Sequence, residues 1–201
     1  MTSSSAHSFA ISARPRRALG PLAAALVASS FALGCAPAED EPGERALPGG
    51  LPVALARAEL WRAAPPAEGQ GPADGGGPKV MCGERDLRVE GSSLEVSTAE
   101  CDHAVLRQPA LADLARGDEL TVWVWWSTLD APEPATGRLR LFLGPDEVWQ
   151  ESVAIPGRAD LREVHVRSPA DLPAGAPITF VVSNHGANAW TLGEVVVRKA
   201  E

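Results

Sequence analysis

Three of the chain's six tryptophans fall within four residues, in the run Leu120-Thr121-Val122-Trp123-Val124-Trp125-Trp126. Side chains of a β-strand alternate between faces. Leu120, Val122, Val124 and Trp126 therefore share one side, while Thr121, Trp123, Trp125 and Ser127 share the other. The first set is the natural core face. The second puts two indoles, a dipeptide apart, on the face that looks outward. Flat aromatic surfaces suit the C–H faces of pyranose rings, and an indole N–H can donate to a hydroxyl. Trp123 and Trp125 are thus candidate ligand-binding residues. Burial is the commoner fate of such side chains and is the expectation for this strand, under a loop within 51–78 or on the second face of a strand covered on both sides. The ligand platform is the alternative.

A second concentration of polar and aromatic groups is Ser183-Asn184-His185-Gly186-Ala187-Asn188-Ala189-Trp190. A short connection carrying amide, imidazole and indole groups has the composition of a polar site on a loop held by rigid strands. Asn and Gly are also what tight turns demand, because they tolerate positive φ. Turn chemistry is the expectation, and a binding role for Asn184, His185, Asn188 and Trp190 is the alternative.

Catalytic patterns are missing from the sequence. There is no Gly-x-Ser-x-Gly elbow, no phosphate-cradling glycine loop and no His-Glu-x-x-His. Glu147 and Glu151 form a carboxylate pair, but an acidic chain produces such pairs freely. His103, His165 and His185 lack the local spacing of a zinc site, and His165 alternates away from Val164 and Val166 onto a solvated face. Arg116-Gly117-Asp118 before a strand is accounted for by turn chemistry. No catalytic residue, metal ligand or cofactor is assigned. The formal net charge is −8 without any basic cluster, which disfavours nucleic acid as a partner.

The N-terminal region supplies an address. Arg14, Arg16 and Arg17 precede an apolar run from Ala18 to Leu33 that ends in Ala32-Leu33-Gly34-Cys35. A membrane-spanning helix needs about 20 predominantly apolar residues, and this run is shorter and contains Gly20 and Pro21. Residues 14–35 resemble a bacterial lipoprotein signal peptide, in which a small residue precedes a cysteine that is acylated and becomes the new N-terminus. The resemblance implies removal of 1–34, lipidation of Cys35 and membrane attachment. Ala36, where inner-membrane members of that class often carry Asp, implies sorting to the outer membrane of a two-membrane bacterium. If Cys35 is acylated, Cys82 and Cys101 remain in an oxidising compartment, where disulfides persist. A Cys82–Cys101 bridge is expected.

The elements that would position these residues follow from punctuation and alternation. Residues 35–50, rich in Ala, Pro, Glu and Gly, read as a flexible lipid-anchored tether, and 64–78 as a mobile loop within a domain spanning 51–201. The segment 51–62 is ambiguous between strand and helix, with a first strand preferred. From Val80 onward, short β-rich runs alternate with Gly, Pro and Asp at intervals near ten residues. Strands are expected near 86–90, 93–98, 103–107, 119–127, 138–143, 147–155, 161–167, 177–183 and 190–198. The fold class is all-β, an antiparallel two-sheet sandwich of jelly-roll type. Ala112–Thr121 also echoes Ala170–Thr179 at a constant offset, as related turn-into-strand units in two halves of such a fold would.

With those residues in place, the stretch from Leu94 to Val197 is similar to jelly-roll modules of the carbohydrate-binding and galactose-binding-like type. The similar features are Leu114-Ala115-Arg116-Gly117-Asp118 leading into Leu120–Val124, a proline-punctuated middle, and a closing strand at Val195-Val196-Val197. The resemblance implies a non-catalytic binding module whose ligand is a glycan, and allows a structural calcium ion. The alternatives are a structural or protein-interaction lipoprotein of the cell envelope with no small-molecule ligand, and, behind both, a hydrolase.

Overall fold

The computed structural model describes residues 51–72 and 80–199. The expected signal peptide, Cys35 and tether lie outside the described residues. Among the described residues eleven strands form two antiparallel sheets, and the fold is an all-β sandwich. The first sheet is ordered β3 (Leu87–Glu90), β4 (Ser93–Ser97), β11 (Ala189–Arg198), β6 (Glu119–Trp126), β9 (Asp160–Arg167), with β1 (Val53–Ala56) also paired to β11. The second is ordered β2 (Arg62–Ala63), β5 (His103–Pro109), β10 (Pro177–Ser183), β7 (Ala135–Leu143), β8 (Asp146–Ile155).

The core lies between the sheets and is built by the alternation already visible in sequence. Leu120, Val122, Val124 and Trp126 are buried, while Thr121, Trp123 and Trp125 are only partly so. Leu94, Val96, Trp190, Leu192, Val195 and Val197 complete the inner face of the first sheet. Leu106, Leu139, Leu141, Ile178, Phe180 and Val182 oppose them from the second. Trp126 and Trp190 meet in this layer with ring centroids 5.6 Å apart. Gly137 explains how β7 admits them: a Cβ there would lie 2.7 Å from Trp190 Cη2, so the strand gives up a side chain where an indole approaches its backbone.

The segment 51–62 is neither one strand nor a helix. β1 pairs with β11 in the first sheet, a 3-10 turn spans Ala58–Leu60, and β2 pairs with β5 in the second. The switch is fixed from outside: the Gln108 side chain accepts from Arg57 N at 3.1 Å and donates to Arg57 O at 3.0 Å. Trp61, 2% exposed, anchors the crossing in the core.

The echo between 112–121 and 170–179 has a structural cause. Leu114 and Leu172 exchange both backbone hydrogen bonds at 2.8 Å. Asp113 Oδ1 accepts from Ala174 N at 2.8 Å, and Asp171 Oδ1 accepts from Arg116 N at 2.7 Å. The two units clasp one another, each capping the other's turn. Asp118 is buried, accepting from Ala115 N and Lys199 Nζ, so the Arg-Gly-Asp tripeptide is part of this clasp rather than a presented loop.

Candidate functional site

The solvent side of the first sheet is organised in rows across the strands. At Trp125 the row runs Leu161 (β9), Trp125 (β6), Thr191 (β11), Glu95 (β4), Arg88 (β3). Trp123 is paired with Glu163 and Thr121 with His165. Both Trp123 and Trp125 are half-buried, an outcome between the burial expected and an open platform. Both residues approach a β-bulge in β11: a Cβ at Gly193 would lie 2.9 Å from Trp125 Cζ3 and 3.1 Å from Trp123 Cβ. The glycine lets the Trp125 indole settle against the backbone of β11 and leaves room for the start of the Trp123 side chain. Beside Trp125 opens an apolar hollow of about 590 Å³, lined by Trp125, Trp126, Ala159, Asp160 and Leu161. Leu161 is 59% exposed at its rim. Trp126 itself is committed inward, its Nε1 donating to Arg158 O at 3.1 Å and its ring lying under the Arg162 guanidinium.

The loop expected to cover these indoles lies on the other sheet. The first half of 64–78, expected as a mobile loop, is a docked roof over the outer face of β5, β10 and β7. Residues 73–79 lie outside the described residues. Arg140 donates to Gly69 O and Gly71 O, both at 2.7 Å, and Arg107 Nη2 donates to Gln70 Oε1 at 3.0 Å. Ala64 packs on a small second core of Val105, Phe142 and Val181. His103 is buried beneath this roof, with Nε2 3.0 Å from Gln70 O and Nδ1 2.9 Å from Ser183 Oγ. A carbonyl only accepts, so Nε2 carries a hydrogen and donates to Gln70 O, while Nδ1 and the Ser183 hydroxyl share the second hydrogen bond. A nucleophile and its base could share that arrangement, but Ser183 is 1% exposed. Its hydroxyl helps hold the roof.

At the 183–190 cluster the structure follows the turn chemistry expected from sequence and departs from the binding alternative for Asn184, Asn188 and Trp190. Trp190 is 1% exposed, and Asn184 and Asn188 are also buried. Trp190 Nε1 donates to Asn184 Oδ1 at 3.1 Å, and Asn184 Nδ2 donates to Thr98 Oγ1 at 2.7 Å. Asn188 accepts from Asp130 N at 2.8 Å and donates to Asp130 O, His185 O and Asn184 Oδ1. These amides stitch the 98, 130 and 186 turns together at one end of the sandwich. Buried polar groups must be paired, and here they pair with each other instead of waiting for a ligand. Gly186, at φ +86°, completes the fit, since a Cβ there would meet Asp130 O. His185 remains at the surface, in a cleft of about 660 Å³ that also presents Asp102, Glu133, Thr136 and Arg138. The structure therefore separates the six sequence candidates. Trp123 and Trp125 form one surface, His185 lines a different cleft, and Asn184, Asn188 and Trp190 are internal.

The Cys82–Cys101 disulfide is present as expected. Its sulfurs and an Asp86 carboxylate oxygen lie within 4.8 Å of one another, a ligand-like grouping, but the bridge occupies both sulfurs. His165, predicted on a solvated face, is exposed there, 3.5 Å from both Glu119 and Glu163. Sequence reasoning missed Leu161 and the hollow, whose signal was an unmatched leucine opposite Trp125 at the edge of the sheet.

No protein-family profile matches the chain, and no curated protein matches it in sequence. Solved structures are similar in fold. A carbohydrate-binding module, TmCBM27, described for specific mannan recognition, is 11% identical with a TM-score of 0.44 over 76% of this chain and 98% of that one. The K3 cleaved adhesin domain of Lys-gingipain from Porphyromonas gingivalis w83 is 15% identical, with a TM-score of 0.42 over 74% and 100%. An arabinose-bound α-L-arabinofuranosidase is 10% identical, with a TM-score of 0.38 over 54% of this chain; the match spans only 20% of that enzyme.

Proposed function

We propose that this β-sandwich is a non-catalytic glycan-binding module of a lipid-anchored envelope protein. The observation that carries the binding reading is the pair Trp123–Trp125, half-buried on the solvent side of the first sheet and packed close to Gly193. Rings held on a rigid strand are oriented before the ligand arrives, so stacking a sugar on them costs little ordering entropy. Glu163 and His165 border the rings with exposed hydrogen-bonding groups. Trp123→Ala and Trp125→Ala in the full chain should each weaken binding of a neutral oligosaccharide by about tenfold, roughly 1.4 kcal/mol. A glycan array followed by calorimetry on its hits measures this. An array without hits, together with tryptophan fluorescence that no sugar changes, would overturn the reading.

The anchor rests on Arg14, Arg16, Arg17, the apolar run and Cys35. Mass spectrometry of protein extracted from membranes is expected to find a chain starting at an acylated Cys35. Recovery of an unmodified residue 35 would remove the anchor and the outer-membrane address together. A second reading, a protein-interaction module of the envelope, is favoured by one observation: the hollow beside Leu161 is apolar and open, the character of a protein contact. It predicts a crosslinked partner whose capture is lost in Leu161→Glu.

A further inference from the structure

The indoles are framed by carboxylates on both flanks. Glu163 stands opposite Trp123 on β9, 53% exposed at its side chain. Glu194 is exposed in the bulge next to Gly193, against which the Trp125 ring rests. Glu95 follows Thr191 in the row of Trp125. Among the described residues no ion pair reaches Glu95 or Glu194. Arg162 is engaged by Asp160 at 2.6 Å and Glu151 at 3.6 Å, Arg88 by Glu90 at 2.7 Å, and His165 lies between Glu119 and Glu163, while Arg57 shares with Glu194 the lining of a hollow beside β1. Arg167 and Arg198 flank Glu119, four residues along β6 from Trp123, about 13 Å away at strand rise. A charge at that distance is largely screened at physiological salt.

Resting on the glycan reading above, we propose that the platform selects glycans carrying free amines, such as glucosamine polymers, over their N-acetylated or acidic counterparts. The chemistry of the surface favours that class on two counts. An ammonium on a pyranose stacked against an indole gains attraction from the ring quadrupole. The same ammonium lies within reach of carboxylates that would repel a uronate, sulfate or phosphate. A neutral sugar gains neither attraction. The acidity of the chain as a whole would attract a polycation without orienting it, so the distinguishing feature is dependence on the indoles and the framing carboxylates together.

The test uses the full chain, with a glucosamine hexamer, the N-acetylglucosamine hexamer and an oligogalacturonate. Calorimetry is run at low and high salt, at a pH where the amines are protonated. The amine form should bind about tenfold more tightly than the N-acetylated form at low salt, roughly 1.4 kcal/mol, and the gap should narrow at high salt. Glu163→Gln with Glu194→Gln should remove most of the preference, weakening the amine form far more than the N-acetylated form. Trp123→Ala with Trp125→Ala, which keeps every carboxylate, should abolish binding of both hexamers. Equal affinities for the two hexamers, or an oligogalacturonate that binds as well, would overturn the amine preference and leave the platform standing. Amine binding that survives the double tryptophan variant would reduce the effect to bulk charge attraction and overturn the proposal. Wild-type protein silent to all three sugars, and to the wider array, would defeat the glycan reading itself.

Discussion

Trp190→Ala is expected to lower the unfolding free energy by about 3–5 kcal/mol, the range for truncating a large aromatic in a core. That is a large share of the stability of a domain of this size. Three losses combine. The side chain is 1% exposed, so its apolar area is withdrawn from the core entirely. It stands between Val96 and Trp126 across neighbouring strands, and the Trp126 ring loses its 5.6 Å aromatic partner. Asn184 Oδ1 also loses its donor from Nε1, inside a network that has little access to replacement water. Collapse cannot close the gap cheaply, because β7 already has glycine at 137 where the indole touches it. Urea denaturation followed by far-UV circular dichroism measures the loss. Trp123→Ala, truncating a ring that is half-buried, should cost far less by the same assay. Comparable losses at the two positions would refute the assignment of Trp190 to the core and of Trp123 to the surface.

That contrast shows which parts of the molecule could be read from the sequence. Period-two alternation in Leu120–Trp126 fixed the strand, its inner face and the side on which Trp123 and Trp125 emerge. The spacing of Gly, Pro and Asp placed the other long strands, because in an antiparallel sandwich each run must end in a turn before its next pairing. β2 escaped notice because two residues carry no period. The break at Ala58–Leu60 escaped because its cause, Gln108, lies on a distant strand. The cluster at 183–190 shows a different limit. Asn, His and Trp are needed equally by a polar site that waits for a ligand and by a polar plug that joins turns. Only the positions of Thr98 and Asp130, remote in sequence, decide for the plug. The roof at 64–72 had a quieter signal. Arg107 and Arg140 interrupt apolar strands on the outward parity, and their partners are backbone carbonyls at Gly69 and Gly71 and the amide of Gln70. Carbonyls leave no mark in a sequence.

Loss of the disulfide should be the next most damaging change. Cys82→Ala with Cys101→Ala is expected to cost about 3 kcal/mol, the chain-entropy value for a loop of roughly this length. The bridge holds a segment with few other ties. Val80 and Cys82 run beside the start of β5, joined by Asp102 N to Val80 O and Cys82 N to His103 O, both at 2.8 Å. Beyond them the 3-10 turn at Glu84–Asp86 leads into β3, an edge strand whose pairing is with β4. Both cysteines are buried, and alanine avoids placing a hydroxyl where the sulfurs pack. The constraint acts chiefly on the unfolded chain, so its removal should expand that state and raise the denaturant m-value along with lowering the midpoint. Wild-type protein unfolded in a dithiol reductant should reproduce the double variant on both counts. A midpoint that neither reduction nor substitution moves would mean that the contacts of β3 and β5 alone fix this corner of the sandwich.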